Sequence, residues 1–214
     1  MGNPKRTQHV KKRQLRIRRW LAVAAVFLIV SIVVAAYVWY PKSSGQNQQV
    51  ESTAFREFTA HYISLMKSLN SSQTKAQMLT QLNPSYNQTD LFTWEKSKLT
   101  FAQDQTGFYE DPNQILGRGQ GICVQWSAVY VSACLALGYQ SRLVIAADTS
   151  TWSFIHVWAE DYYKGTWVHV DPSDGVWNNP SRYQTWGWGD FGGQVKIYAF
   201  DDRGYQEVTS TYAD

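Results

Sequence analysis

The chain has 214 residues, of which 44% are hydrophobic and 15% aromatic, a composition that suits one packed domain with accessory segments. Its formal net charge is +3, yet residues 1–19 hold eight Lys and Arg and no acid, which leaves 12 cations against 17 acids in the remainder. Since the excess positive charge is confined to a short tail, the pI of 8.8 does not indicate nucleic-acid binding, and no nucleic-acid partner is expected.

A predicted membrane anchor follows the basic tail. Residues 20–40 (WLAVAAVFLIVSIVVAAYVWY) carry no charge, and a helix of this length at about 1.5 Å per residue spans roughly 30 Å, the thickness of a bilayer core. The positive flank comes first, which predicts a cytoplasmic tail on anionic lipid and a domain beyond the cell membrane. A cleaved signal peptide is the alternative, although the apolar run exceeds the usual length of about 7–15 residues.

After the anchor, residues 41–51 are predicted to form a polar linker and residues 52–214 a folded domain. Helical periodicity predicts helices at 52–69, 73–82, 90–102 and 122–137, with a loop at 111–121. Two-residue periodicity predicts strands at 141–148, 154–162, 166–172, 195–200 and 205–212, with turns at 164–165 and 201–204. Helices followed by an antiparallel sheet indicate an α+β fold.

The two cysteines, Cys123 and Cys134, both fall on the predicted helix at 122–137. Eleven residues along a helix separate them by about 16 Å, beyond the roughly 7 Å that a disulfide allows. Cys134 suits a small apolar filler in a buried helix. Cys123 follows a glycine-rich loop at the helix start, where the helix dipole and a nearby imidazolium favour the thiolate. At that position the thiol is expected to be ionised, exposed and nucleophilic.

A histidine and an aspartate fall on the two strands that flank the Lys164-Gly165 turn. With a four-residue loop His156 lies directly opposite Asp171, and with a two-residue loop the two lie diagonally. In both registers they share one side of the sheet, because side chains alternate along a strand. A carboxylate that holds an imidazole is one half of a nucleophilic triad. His169 falls on the same face and is interpreted as a packing partner.

The stretches GICVQWSAVYVSACLALGYQSRLV, HVWAEDYYKGTWVHVDPSDG and WGWGDFGGQVKIYAFDD resemble the transglutaminase-like superfamily, a papain-like thiol fold, and within it the peptide:N-glycanase core. The resemblance covers about residues 117–212 and depends on the order and spacing of several motifs. It implies that Cys123 is the nucleophile, His156 the base and Asp171 the carboxylate that orients the base. Related transglutaminases stabilise the oxyanion with an upstream tryptophan, which makes Trp94 the candidate.

The chain also departs from that family pattern. Peptide:N-glycanases carry a zinc-binding cysteine set upstream of the core, which two cysteines cannot build, so no metal and no cofactor is expected. Their glutamate two residues after the nucleophile is Gln125 here. Four residues near the predicted triad are candidates to line a substrate groove: Gly121, Trp126, Trp158 and Trp188.

The expected function is that of a membrane-anchored, extracytoplasmic thiol enzyme that acts on amide bonds of peptides or glycoproteins through a thioester. Transfer to water would make it a peptidase or a peptide:N-glycanase-like amidase, and transfer to lysine would make it a transglutaminase. One alternative is a catalytically silent module that binds peptide or glycan in the same groove. Another is a membrane-tethered assembly scaffold that works through its basic tail.

Overall fold

The computed structural model describes residues 52–102, 111–184 and 194–212. The helices in these ranges are α1 (Thr53–Leu69), α2 (Ser72–Leu79), α3 (Gln88–Lys98), α4 (Pro112–Arg118), α5 (Cys123–Ala136), α6 (Ser181–Gln184) and α7 (Thr209–Tyr212). The strands are β1 (Thr100–Phe101), β2 (Gln120–Gly121), β3 (Ser141–Asp148), β4 (Ser153–Tyr163), β5 (Thr166–Asp171), β6 (Val176–Trp177), β7 (Val195–Phe200) and β8 (Tyr205–Glu207).

Six of the strands form one antiparallel sheet in the order β6-β5-β4-β3-β7-β8. β4 and β5 are joined by Lys164 and Gly165, whose φ angles of 50° and 89° are both positive, as a type I′ turn requires. The pairing that follows runs from Tyr163–Thr166 to Ala159–Val170. Of the two registers predicted for this hairpin, the structure therefore has the one with the two-residue loop.

Helix α5 is the centre of the fold because nearly every residue in it is apolar. All its residues from Cys123 to Cys134 are buried, and the helix packs against α1 to α4 and against one face of the sheet. The opposite face carries a smaller core that the short helices α6 and α7 cover. Helices on both faces of an antiparallel sheet confirm the predicted α+β class.

Three stretches differ from their predicted structure. The helix predicted at 90–102 ends at Lys98, and Thr100–Phe101 form β1, which pairs with β2. Residues 111–121, predicted as loop, contain α4, which has Asp111 as its N-cap, Pro112 in its first turn and Gly119 in the left-handed conformation at its end. Asp, Pro and Gly here cap and end a short helix instead of forming a loop. The last predicted strand stops at Glu207, and the chain turns into α7, where Thr209 Oγ1 accepts the N–H of Ile197 at 3.0 Å.

The predicted location at the cell membrane needs correction. Within the three described ranges, no helix combines the length and the apolar character that crossing a bilayer requires. The predicted tail, spanning helix and linker, residues 1–19, 20–40 and 41–51, lie outside the described residues. On the part of the chain that the structure describes, the single-pass membrane location is therefore wrong.

Candidate active site

The loop before α5 is built around Gly121. A Cβ atom at this position would lie 2.9 Å from Cβ of Gln125, so any side chain would displace Gln125. Gln125 Oε1 accepts the backbone N–H of Ile122 at 2.9 Å, and the Trp126 indole N–H donates to the Gly121 carbonyl at 3.0 Å. These two hydrogen bonds fix the turn that makes Cys123 the first residue of α5.

The start of α5 has no side-chain cap. Its N-cap residue is Ile122, which has no side-chain atom able to accept a hydrogen bond. In the part of the chain that is described, the backbone N–H groups of Cys123 and Val124 have no hydrogen-bond partner. Free N–H groups at the positive end of a helix dipole stabilise negative charge. An oxyanion formed beside Cys123 would therefore meet a donor that is already in place.

His156 occupies the last regular pair of β4 with β3 before a β-bulge. Ala146 pairs with His156 and Ala147 pairs with Phe154, so Ile155 is an extra residue in β4. Beyond the bulge His156 lies on the same face as Trp158, with ring centroids 5.8 Å apart. The regular pairing of β4 with β5 has ended at Ala159, and His156 lies near enough to Cys123 for that residue to contribute to the pKa of the imidazole.

Asp171, fully buried at the end of β5, holds the imidazole. Its Oδ2 lies 2.6 Å from Nε2 of His156 and accepts the Tyr183 hydroxyl at 2.5 Å. Its Oδ1 accepts the Ser173 hydroxyl at 2.7 Å and the backbone N–H of Asp174 at 3.0 Å. Four donors thus compensate for burial of the charge. Because Asp171 engages Nε2, the nitrogen left for Cys123 is Nδ1.

The proton equilibria of this pair favour an ion pair. Burial opposes a charged imidazole, but the hydrogen bonds and negative charges of Asp171 and Cys123 prevail and raise the pKa of His156 to about 9. Burial likewise opposes ionisation of Asp171, but hydrogen bonds from His156, Tyr183 and Ser173 and the charge of His156 lower its pKa to about 2. At neutral pH the carboxylate is therefore ionised and the imidazole carries a proton.

The nucleophile candidate is more enclosed than the sequence indicates. Cys123 was expected to be exposed, yet it and His156 are each only 8% exposed. Tyr62 of α1 lies close enough for the Cys123 charge to contribute to a raised pKa of its phenol, after the larger effect of burial. The sulfur thus lies in a largely apolar setting, because the same residue that starts α5 also belongs to the core.

The other predicted site residues have structural contacts. Trp158 is fully buried, with its ring stacked on Tyr183 at 4.4 Å, and Trp126 holds Gly121 as described above. Trp94 is buried on α3 in the same core as Cys123. Trp188 lies outside the described residues. The roles predicted for these residues in a substrate groove and an oxyanion site stay predictions.

Tyr183 is the residue near Asp171 that the sequence does not reveal. It lies on α6, a helix of four residues, which is too short for a hydrophobic period to register. The signal that precedes it is Pro180, whose carbonyl accepts the N–H of Tyr183 at 3.1 Å. A proline followed by a buried aromatic residue indicates a short turn of helix but not its contact.

Comparisons with known proteins agree with this architecture. The profile described as Transglutaminase-like superfamily matches residues 72–172. Peptide-N(4)-(N-acetyl-beta-glucosaminyl)asparagine amidase of Oryza sativa is 34% identical over 82 residues, 37% of this chain and 17% of its own. The enzyme of that name in Drosophila melanogaster is 34% identical over 108 residues, 50% of this chain and 16% of its own. This chain thus spans less than a fifth of the length of either relative.

Two solved structures share the fold at low sequence identity. A proposed protease from Parabacteroides distasonis superposes with a TM-score of 0.50 and 14% identity, over 71% of this chain and 30% of its own. A structure of the Rad4/XPC nucleotide excision repair complex gives a TM-score of 0.54 and 12% identity, over 72% of this chain and 47% of its own. Because proteins named for such different activities share this fold, the fold alone does not define the function.

The resemblance seen in the sequence is confirmed by these matches. Residues 72–172 are similar to the transglutaminase-like core, and the two relatives described here are peptide:N-glycanases. The profile ends at residue 172, one residue beyond Asp171, so the matched part contains Cys123, His156 and Asp171 together.

Proposed function

We propose that this protein is a thiol amidase in which Cys123, His156 and Asp171 act as nucleophile, general acid–base and orienting carboxylate. The observation that carries this proposal is the buried His156–Asp171 pair, 2.6 Å apart, close to a cysteine that begins a helix and contributes to the raised pKa of the imidazole. Three residues from separate elements meet there in the order that nucleophilic thiol catalysis needs.

In the first half of the reaction the Cys123 sulfur attacks the amide carbonyl carbon. The carbonyl oxygen becomes an oxyanion, which the Cys123 N–H stabilises. The intermediate then expels the amine, which takes the proton from the His156 imidazolium, and a thioester to Cys123 remains. A proton donor is in place because the pKa of His156, about 9, keeps the ring protonated at neutral pH.

In the second half the now neutral His156 acts as a base. It removes a proton from water, whose oxygen attacks the thioester carbonyl, and the thiolate leaves as a carboxylic acid forms. Asp171 remains ionised throughout, since its pKa is about 2, and it stabilises each imidazolium that appears. The cycle ends with Cys123 and His156 in their starting protonation states.

For the substrate class we propose N-glycosylated peptides, cleaved at the amide between the asparagine side chain and the sugar. The two relatives described above are named for that reaction, and the family profile covers the stretch that holds the triad candidates. Hydrolysis is favoured over amine transfer, since both of those names describe amidases. The products would be an aspartate-containing peptide and a glycosylamine.

The full chain should be incubated separately with an N-glycopeptide, with the same peptide lacking sugar, and with a glutamine peptide plus a primary amine. We expect conversion of asparagine to aspartate in the glycopeptide alone, detected by mass spectrometry, and none with Cys123→Ala. Cleavage of the bare peptide would make the protein a peptidase, and amine incorporation would make it a transglutaminase. Activity that survives in Cys123→Ala would refute the thiol mechanism for any of the three.

A further inference from the structure

We propose that Tyr183 is a positioning residue that sets how strongly His156 holds its proton, acting through a hydroxyl that shares one oxygen of Asp171 with the imidazole. This inference rests on the proposed function of His156 as acid and base. Tyr183 Oη and His156 Nε2 lie 2.5 Å and 2.6 Å from the same atom, Asp171 Oδ2. Two donors on one oxygen each receive a smaller share of its negative charge.

The hydroxyl of Tyr183 remains a donor throughout the working pH range. Burial and the charge of Asp171 raise the pKa of this phenol far above its ordinary value, so it does not ionise. It contributes a neutral hydrogen bond that stabilises the Asp171 carboxylate. Because Tyr183 already takes up part of the negative charge of this carboxylate, the carboxylate stabilises a protonated His156 less strongly. Tyr183 therefore makes His156 a better proton donor to the leaving amine.

Packing holds the phenol in place. Its ring stacks on Trp158 at 4.4 Å and meets the edge of His169 at 4.7 Å. Next to it, Arg182 Nε lies 2.9 Å from Asp174 Oδ2, and the backbone N–H of Asp174 donates to Asp171. The segment from Asp171 to Tyr183 thus folds back on itself, so that the hydroxyl at its end reaches the carboxylate at its start.

Other titratable groups face the pair and must stay in place when Tyr183 is substituted. They are Cys123 on α5, His169 on β5, Asp174 in the turn after β5, Glu95 on α3 and Tyr212 on α7. Because Phe keeps the ring of Tyr183 and its stacking on Trp158, the Tyr183→Phe substitution removes the hydroxyl and leaves these groups where they are.

The chain offers a matched control on the same face of the sheet. Tyr212 is also a buried tyrosine on a four-residue helix, and its hydroxyl donates to a buried carboxylate, Glu160. That carboxylate pairs with Arg142 at 2.5 Å and not with His156. Tyr212→Phe therefore deletes an equivalent hydroxyl without touching the Asp171–His156 hydrogen bond.

The experiment measures the pKa of the His156 ring by NMR in the full chain, with the resonance assigned by its loss in His156→Asn. In Tyr183→Phe we expect His156 to bind its proton about 3- to 10-fold more tightly, the equivalent of one hydrogen bond. Tyr212→Phe should leave it unchanged. Site-specific 3-fluorotyrosine at position 183 is a stronger hydrogen-bond donor of the same shape and should weaken proton binding at His156. This replacement gives the test if Tyr183→Phe does not fold.

The inference would be overturned if the pKa of His156 were unchanged in Tyr183→Phe, or if it shifted equally in Tyr212→Phe. The pH profile of kcat/KM gives a second readout, because the alkaline limb should move upward in Tyr183→Phe and stay fixed in the control. The NMR result requires no substrate. A glycopeptide that the wild-type protein fails to cleave would thus refute the proposed function, while the hydrogen-bond effect is judged separately.

Discussion

Cys123 and Cys134 lie on one helix and carry the same side chain, yet their surroundings are opposite in character. Cys123 begins α5, where Ile122 supplies no side-chain cap, and it lies near the imidazole of His156. Cys134 lies deep in the helix with no exposed surface, and its sulfur is 3.7 Å from Oδ2 of Asp161. Burial, and then the charge of Asp161, raises the pKa of Cys134 well above its ordinary value.

This contrast shows that the place of a thiol on the helix decides its chemistry. At the start of a helix the backbone supplies donors and the partner can be a cation. In the interior every backbone N–H is already used, and here the neighbouring side chain is an acid. A buried thiol beside a carboxyl keeps its proton, so Cys134 is a packing residue.

The largest difference between the two cysteines is expected when each sulfur is removed in turn. Cys123→Ala should lower amidase kcat/KM by about 10⁴-fold or more, because no other group can form the thioester. Cys134→Ala should keep activity within about 2-fold and cost on the order of 1 kcal/mol of folding free energy. Steady-state kinetics and urea unfolding of both variants test this, and comparable kinetic losses would contradict the separation of roles.

A smaller loss is expected when the carboxylate behind His156 is neutralised. Asp171→Asn keeps the size of the side chain but not its charge, so it should reduce kcat by about 10²–10⁴-fold and leave the circular dichroism spectrum unchanged. It also lowers the pKa of His156, since the hydrogen bond and charge that raise it are lost. Full activity in Asp171→Asn would exclude the proposed triad.

Chemical labelling compares the two thiols within one molecule. Iodoacetamide at pH 6 should modify Cys123 at least about 100-fold faster than Cys134, which has no exposed surface. Peptide mapping after timed quenching gives both rates from one sample. His156→Asn should slow the reaction of Cys123 alone. Equal rates at the two cysteines in the folded protein would be the adverse result.

The smallest expected effect concerns stability around Cys134. Burial, partly offset by hydrogen bonds from Tyr130 and other neighbours, raises the pKa of Asp161 to about 6. Because the folded value exceeds the unfolded one, this group costs stability as pH rises from about 4 through 6. Between pH 4 and 7 the free energy of unfolding of Asp161→Asn should rise by on the order of 2 kcal/mol relative to that of the wild type.

Urea unfolding at both pH values measures this difference. The partly exposed Asp202 gives the control, since Asp202→Asn should change the difference little. A constant difference between wild type and Asp161→Asn across this range would show that the carboxyl near Cys134 does not resist ionisation.

The sequence predicts the elements around the site well, because each has a strong period or a specific turn. The strands Ser141–Asp148 and Val195–Phe200 are found where alternation indicates them. The Lys164-Gly165 turn restricts the hairpin to two registers, and either places His156 and Asp171 on one face. Residue-type patterns are sufficient here since the pleat transmits geometry along the strand.

What the sequence does not predict depends on contacts between distant segments. The extra residue Ile155 in β4 has no compositional signal, yet it interrupts the pairing of β4 with β3 directly next to His156. Apart from His156, the donors to Asp171 come from a turn and a four-residue helix, neither long enough for periodicity. The burial of Cys123 depends on α1 packing over the start of α5, which a local pattern does not contain.

The stretch from Asp171 to Tyr183 has a consequence for how such a site can change. Cys123 and His156 come from remote parts of the chain, but the acid and its three supporting donors form one unbroken peptide of 13 residues. The donors around the carboxylate, apart from His156, thus come from one continuous segment that can be replaced as a unit. Swapping it between homologues would alter the acidity of the site while the helix and the histidine strand stay constant.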